Sequence, residues 1–313
     1  DVGAGIAQRW FDTEQVDAIM GLPNSAVALS VQALARPKKR ITIASEAAST
    51  VLTGEQCSPY GFMWTIDTHA LAVATGSAVI DQGLDSWFFI TADYAFGHSL
   101  EENTANVVTA EDGQVLGSAR HPPNTTADFS SFLLQAQASG AKVIGLANGG
   151  ADVQNAIKQA GEFGITAAGQ SLAALLITLP EVHSLGLDAA QGLMLTESYY
   201  WNRDEQSAEF AEKVFARTGV YPNMFQAGTY SAVRSYLKAI EAAGTDDADA
   251  VAEKLRELPV NDAFARDGVV QPNGRMVSDV YLFRVKAPEE STGPWDYYEL
   301  VAVVPGKDAY LDP

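Results

Sequence analysis

The chain has 313 residues, 47% hydrophobic and 19% charged, which is the balance of a folded globular protein rather than a disordered or membrane-embedded one. Its length suits two domains of about 100–200 residues each, and no run reaches the roughly 18 apolar residues of a membrane helix, so direct membrane insertion is not expected. With 20 basic against 39 acidic residues the net charge is −19, a field that repels nucleic acid and anionic lipid and obliges any anion site to rely on local donors.

The chain opens on a helical pattern from Gly3 to Phe11, with no start methionine and no signal peptide. A parallel sheet in this region would then lack its opening strand, and a preceding βαβ unit of about 30 residues is expected. Val16–Met20 reads as a strand leading into a helix from Ser25 to Arg36, with Asn24 or Ser25 as cap. Arg40–Ala44 is a second strand, followed by the small-residue loop Ser45–Thr50. Trp87-Phe88-Phe89-Ile90, apolar throughout, suits a strand covered on both faces and leads into a helix from Phe96 to Thr109, with Asp93 as its expected cap. Lys142–Leu146 and a helix from about Ala151 to Phe163 repeat the alternation, which predicts βαβ units and parallel sheets. After a strand at Gln191–Thr196 come helices at about Gln206–Arg217, Phe225–Ala243 and Ala248–Leu258, with Gly219 and Gly244 as C-caps. Two late strands, Asp279–Val285 and Tyr298–Val304, close the pattern.

Ligands of open α/β sheets bind beyond the carboxyl ends of the strands, so the strand ends are where function is sought. Asn24-Ser25, Ala48-Ser49, Tyr94 and Asn148-Gly149 all fall there. Small donors at the first two ends suit a carboxylate, although helix capping alone also accounts for Asn24 and Ser25. Catalytic signals are weaker. His69, His98, His121 and His183 have no metal-ligand spacing, and there is no GxSxG elbow, GxGxxG or P-loop. A hydrolase using Ser25 therefore has neither base nor elbow, and no catalytic residue, cofactor or metal ligand is assigned. Cys57 is the one cysteine in the chain; a buried free thiol and a thiol paired outside this segment are equally open readings.

The run Trp87–Gly97, with Leu52-Thr53-Gly54, Cys57–Tyr60, Asp128–Ser130, Ala160–Ile165 and Pro294–Tyr298, resembles the solute-binding proteins of ABC importers, in particular the branched-chain amino acid binding group. That resemblance implies the type I periplasmic fold. It consists of two Rossmann-like α/β lobes with parallel-sheet cores, joined by three crossovers near Trp64–Thr68, Glu197–Tyr200 and Ser278, the first βαβ of lobe one being absent. Lobe one would comprise 1–66 and 199–278, and lobe two 67–198 and 279–313. It implies a periplasmic monomer that closes on a small molecule and delivers it to an inner-membrane ABC permease. A ligand-sensing regulatory protein of the same fold is the alternative.

By the same resemblance Ser25 and Ala48-Ser49 would hold the ligand carboxylate and Tyr94 would reach it from the other lobe. Trp64, Tyr199, Tyr200, Trp201 and Tyr230, near the expected crossovers, would either supply apolar surface to the ligand or pack the hinges, both readings staying open, with Asn148 and Gln226 as polar partners. The glutamate that usually meets the ligand ammonium has no counterpart, since the aligned stretch is Leu172-Ala173-Ala174-Leu175-Leu176. A buried ammonium left unpaired costs several kcal/mol, so the expected ligand is a keto acid or an aromatic acid, with an amino acid as the alternative.

Overall fold

The computed structural model describes residues 2–313. The chain clusters into two compact units, one made of the segment ending at Asp67 with Ser198–Asp279 and Pro305–Pro313, the other of Thr68–Glu197 and Val280–Val304.

The first unit is built on three parallel strands in the order β1 (Ala18–Gly21), β2 (Ile41–Ala44) and β3 (Gly61–Met63). Their registers align Gly21 with Ala44 and Ala44 with Met63, so the loops that follow all three strands leave from one edge. The helix Ser25–Ala35 starts four residues after β1 because Asn24 takes an extended conformation and its Oδ1 accepts from Val27 N at 3.1 Å. Its inner face, with the N-terminal helix Val2–Asp12, builds a cluster of Ala7, Phe11, Ile19, Val31 and Ala35. The helices Glu205–Thr218, Met224–Ala243 and Ala248–Glu257 belong to the same unit. The first two end on left-handed glycines, Gly219 (φ 74°) and Gly244 (φ 67°), as their sequence predicts. A short antiparallel pair, β9 (Val269–Val270) with β10 (Met276–Val277), completes it.

The second unit holds four parallel strands in the order β5 (Gln114–His121), β4 (Ser86–Ala92), β6 (Val143–Ala147) and β7 (Ser171–Ala174). Trp87, Phe89 and Ile90 are fully buried, each contributing roughly 1.5–3 kcal/mol of transfer free energy. That burial is why β4 carries no polar alternation. Helices Ala95–Ala110 and Ser130–Ala138 pack on it. A second sheet is antiparallel, with β11 (Val280–Val285) between β8 (Met194–Glu197) and β12 (Tyr298–Val304), so parallel pairing does not extend to the late strands. One helix legible in the structure and not in the sequence runs from Thr68 to Ile80, interrupted by a π turn at Ala72–Gly76. Within it Thr75 Oγ1 meets Thr196 Oγ1 at 2.7 Å.

The tail departs from the predicted assignment of 279–313 to one lobe. Residues Pro305–Pro313 group with the first unit, making a fourth passage of the chain at 304/305. The reason is local: Gly306 N donates to Asp279 Oδ1 at 3.0 Å, and the buried Tyr310 ring lies 4.6 Å from the Arg275 guanidinium carbon. Cys57 is exposed, which overturns the buried-thiol reading.

Candidate functional site

The predicted site residues fall into two groups, one in each unit, and most of them lie at the carboxyl edge of a parallel sheet. In the first unit the chain leaves β1 through two left-handed residues, Gly21 (φ 94°) and Leu22 (φ 57°), which turn it back toward the sheet edge. With Asn24 committed to capping, the first-turn amides of Ser25 and Ala26 have no intrahelical acceptor. Ser25 Oγ, buried, accepts from Ser49 N at a long 3.4 Å, and Ser49 Oγ is buried with no hydrogen-bond partner. Ala48 is buried beside it. Ser45 Oγ pairs with Thr229 Oγ1 at 2.6 Å, and Thr65 Oγ1 donates to Ser45 O at 2.9 Å. The 45–49 loop is thereby fixed from beneath while Ser25 and Ser49 keep hydrogen-bonding capacity. Glu46, half-buried in the same loop, has its carboxyl pushed up by burial.

The other predicted residues of this unit are tied into its own structure. Trp64 is fully buried with Nε1 donating to Ser231 Oγ at 3.0 Å, and Tyr199 is fully buried with its hydroxyl donating to Ser207 O at 3.0 Å. Gln226 is exposed, and its Oε1 accepts from Asn223 N at 2.8 Å, half of a capping box on the helix Met224–Ala243. Tyr200 is buried, Trp201 stacks on Tyr221 at 4.5 Å, and Tyr230 is exposed against Phe210 at 4.7 Å.

In the second unit the register pairs Ala92 with His121 and Thr91 with Ala147, so Tyr94, His121 and Asn148 follow adjacent strand ends. Tyr94 is the N-cap residue of the helix Ala95–Ala110 and provides no side-chain cap. The predicted cap, Asp93, instead accepts from His98 Nε2 at 2.8 Å and lies 3.8 Å from Arg120. Burial, with the Asp152 charge adding to it, pushes the Tyr94 phenol up to about 12, so its hydroxyl remains a donor far above neutral pH. Because the folded-state value is raised, the associated stability is complete below about pH 10 and is lost as pH rises toward 12. Tyr94→Phe should therefore lose less stability than the wild type between those limits, and equal losses in alkaline denaturation curves would refute the assignment.

Three residues here were not singled out as binding residues in the sequence. His121 is fully buried at the end of β5, Asp152 is buried in the first turn of the helix Ala151–Glu162, and Thr91 Oγ1 is buried without a partner. His121 Nδ1 lies 3.1 Å from Pro122 O and 3.9 Å from Asp152 Oδ2, while Nε2 lies 3.1 Å from Asn148 Nδ2. Asn124 N donates to Asp152 Oδ2 at 2.8 Å. Asn148 is fully buried and its Oδ1 has no partner. Gly149 lies against the loop after β7: a Cβ there would come within 3.3 Å of Leu176 Cδ2. The Leu172–Leu176 stretch itself is apolar, with Ala173, Ala174 and Leu175 fully buried. The buried Glu197 accepts from Leu179 N and from the Tyr298 hydroxyl, both at 3.1 Å.

Residues 1–293 match the family model described as periplasmic binding protein. The chain belongs to the periplasmic binding protein family. A solved periplasmic binding protein from Burkholderia mallei is 50% identical, with a TM-score of 0.97 over 99% of this chain and 82% of that one. A branched-chain amino acid ABC transporter periplasmic ligand-binding protein from Burkholderia xenovorans is 38% identical, with a TM-score of 0.84 over 98% and 82% of the two chains. At 20% identity, a solute-binding protein of Rhodopseudomonas palustris in complex with 3,4-dihydroxybenzoic acid shares the fold, with a TM-score of 0.87 over 97% and 83%. A comparison with curated proteins returns no match. This binding protein thus has the type I periplasmic fold and is the solute-binding component of an ABC transporter.

Proposed function

We propose that this protein captures a small carboxylate lacking an α-amino group, a keto acid or an aromatic acid, in the periplasm for an inner-membrane ABC permease. The observation that carries the reading is the pairing of unspent donors at one sheet edge: the first-turn amides at Ser25, and the hydroxyl of Ser49, buried and without a partner. A carboxylate there accepts from a helix N-terminus and from hydroxyls at once, and needs no basic side chain. The apolar Leu172–Leu176 stretch supplies no counter-charge for an ammonium. Tyr94 would donate from the second unit. A ligand that engages both sets of groups favours whichever arrangement of the units lets it do so, which is the physical content of capture without chemistry. The fold accommodates such acids in the R. palustris protein bound to 3,4-dihydroxybenzoic acid.

A thermal-shift series tests this, because a ligand at a hundred times its Kd stabilises the native state by about 2.7 kcal/mol. Keto acids or aromatic carboxylates should raise Tm, and Tyr94→Phe should weaken the bound acid by roughly 3–10-fold in calorimetry. An unchanged Kd removes Tyr94 from the site. Stabilisation by leucine or valine instead would support a second reading, favoured by the half-buried Glu46 in the 45–49 loop as the ammonium partner.

A further inference from the structure

Asn148 follows β6 directly, fully buried, with an amide whose two ends are treated differently. Its Nδ2 is 3.1 Å from His121 Nε2, and its Oδ1 meets nothing. Which end of the amide points where depends on the imidazole. His121 Nδ1 faces two groups that can only accept from it, Pro122 O at 3.1 Å and Asp152 Oδ2 at 3.9 Å, so Nδ1 carries the proton. The remaining faces of the ring are apolar, against Phe129 at 4.9 Å and Phe132 at 5.9 Å between centroids. With Nδ1 as the donor on that side, Nε2 accepts the hydrogen bond from Asn148 Nδ2. The amide cannot then rotate without setting its oxygen against the Nε2 lone pair. The ring is thus fixed at Nδ1 by Pro122 O, and Asp152 beside it is itself held by Asn124 N at 2.8 Å.

We propose that His121 is a positioning residue which locks the Asn148 amide with Oδ1 as a ligand acceptor, and that this selects acids carrying a hydroxyl group. The inference rests on the carboxylate reading above and narrows it. A neutral amide oxygen satisfies a hydroxyl but does not neutralise a buried ammonium. A ligand hydroxyl donates to that oxygen, and the Tyr94 phenol is left to the carboxylate.

The test uses acids matched except for the hydroxyl: 4-hydroxybenzoate against benzoate, and 2-hydroxy-4-methylpentanoate against 4-methylpentanoate, with calorimetric Kd values for each. In whichever pair binds, the wild type should prefer the hydroxylated member by at least roughly tenfold, since the analogue leaves a buried acceptor unpaired. His121→Leu, which frees the amide to rotate, should lower that ratio, because Oδ1 is no longer held ready for the hydroxyl. His121→Gln, whose amide oxygen can replace Nε2 as acceptor, should restore most of it. A general loosening of the site would weaken both acids together and leave the ratio in place. If His121→Leu does not fold, Asn148→Leu removes the acceptor directly and should abolish the ratio. Equal affinity for both members in the wild type, or a ratio untouched by these substitutions, overturns this inference alone. Binding of none of the four acids overturns this inference, and the carboxylate reading falls with it if the keto acids and aromatic carboxylates of the thermal-shift series also fail to bind.

Discussion

Replacing Asp67 by Asn should cost the first unit about 3–5 kcal/mol, among the largest losses from a single charge change in this protein. Arg275 is one of the largest fully buried side chains, 2% exposed against 4% for the Asp67 side chain. Nε donates to Met276 O at 3.0 Å, and NH1 stands 3.8 Å from Asp67 Oδ2, but neither terminal nitrogen has a hydrogen-bond partner. The nearby carboxylate is thus the main compensation for a cation removed from water, and an isosteric amide withdraws it. Because the Arg275 guanidinium also lies against Tyr310, the Pro305–Pro313 segment should loosen first, visible as faster amide exchange there. Denaturant midpoints measure the whole effect. The double variant Asp67→Asn with Arg275→Met should recover part of it, because removing both charges leaves neither buried alone. A loss below about 1 kcal/mol in the single variant would mean that solvent already stabilises the guanidinium.

Gly97→Ala should be equally damaging in the second unit. A Cβ at Gly97 would sit 2.0 Å from Ala92 O and 2.9 Å from Ala92 C, both backbone atoms of the strand that the helix follows. No rotamer change relieves a clash with backbone, so the first turn of the helix Ala95–Ala110 must move off the end of β4. The expected cost is at least about 3 kcal/mol, a fall in Tm of roughly 6–12 °C for a unit of this size. Tyr94 begins that helix, so ligand affinity should fall with stability. An alanine variant with wild-type Tm would show that the turn has slack the structure does not display.

The two substitutions also show what was legible beforehand. Gly97 was part of the run that carried the family resemblance, and the run places it where a strand hands over to a helix. Its need for a missing side chain is a distance to Ala92 O that only the folded turn creates. Arg275 and Asp67 stand 208 positions apart, with no periodicity linking them, and nothing local marks either as buried.

Local chemistry determined the parallel alternation, because strands such as Trp87–Ile90 and helices such as Ser25–Ala35 are written in short-range patterns that sterics and burial enforce. It determined the Gly219 and Gly244 caps for the same reason, a backbone conformation that one residue type adopts freely. The positions of Asn24, Ser25, Ser49, Tyr94 and Asn148 beyond strand ends were equally readable. Tertiary structure alone decided what the buried ones have left to offer. Local capping already spends Asn24 on Val27, but that Ser49 Oγ and Asn148 Oδ1 stay buried and unspent depends on the neighbours the fold brings to them. The strand β5, half exposed and polar at its edge, hid His121 from any hydrophobic period. Its neighbour Asp152 comes from the helix that follows the next strand in the chain, β6. Hydrogen-bond satisfaction is a property of neighbours brought together by the sheet, and neighbours across a parallel sheet are distant in sequence.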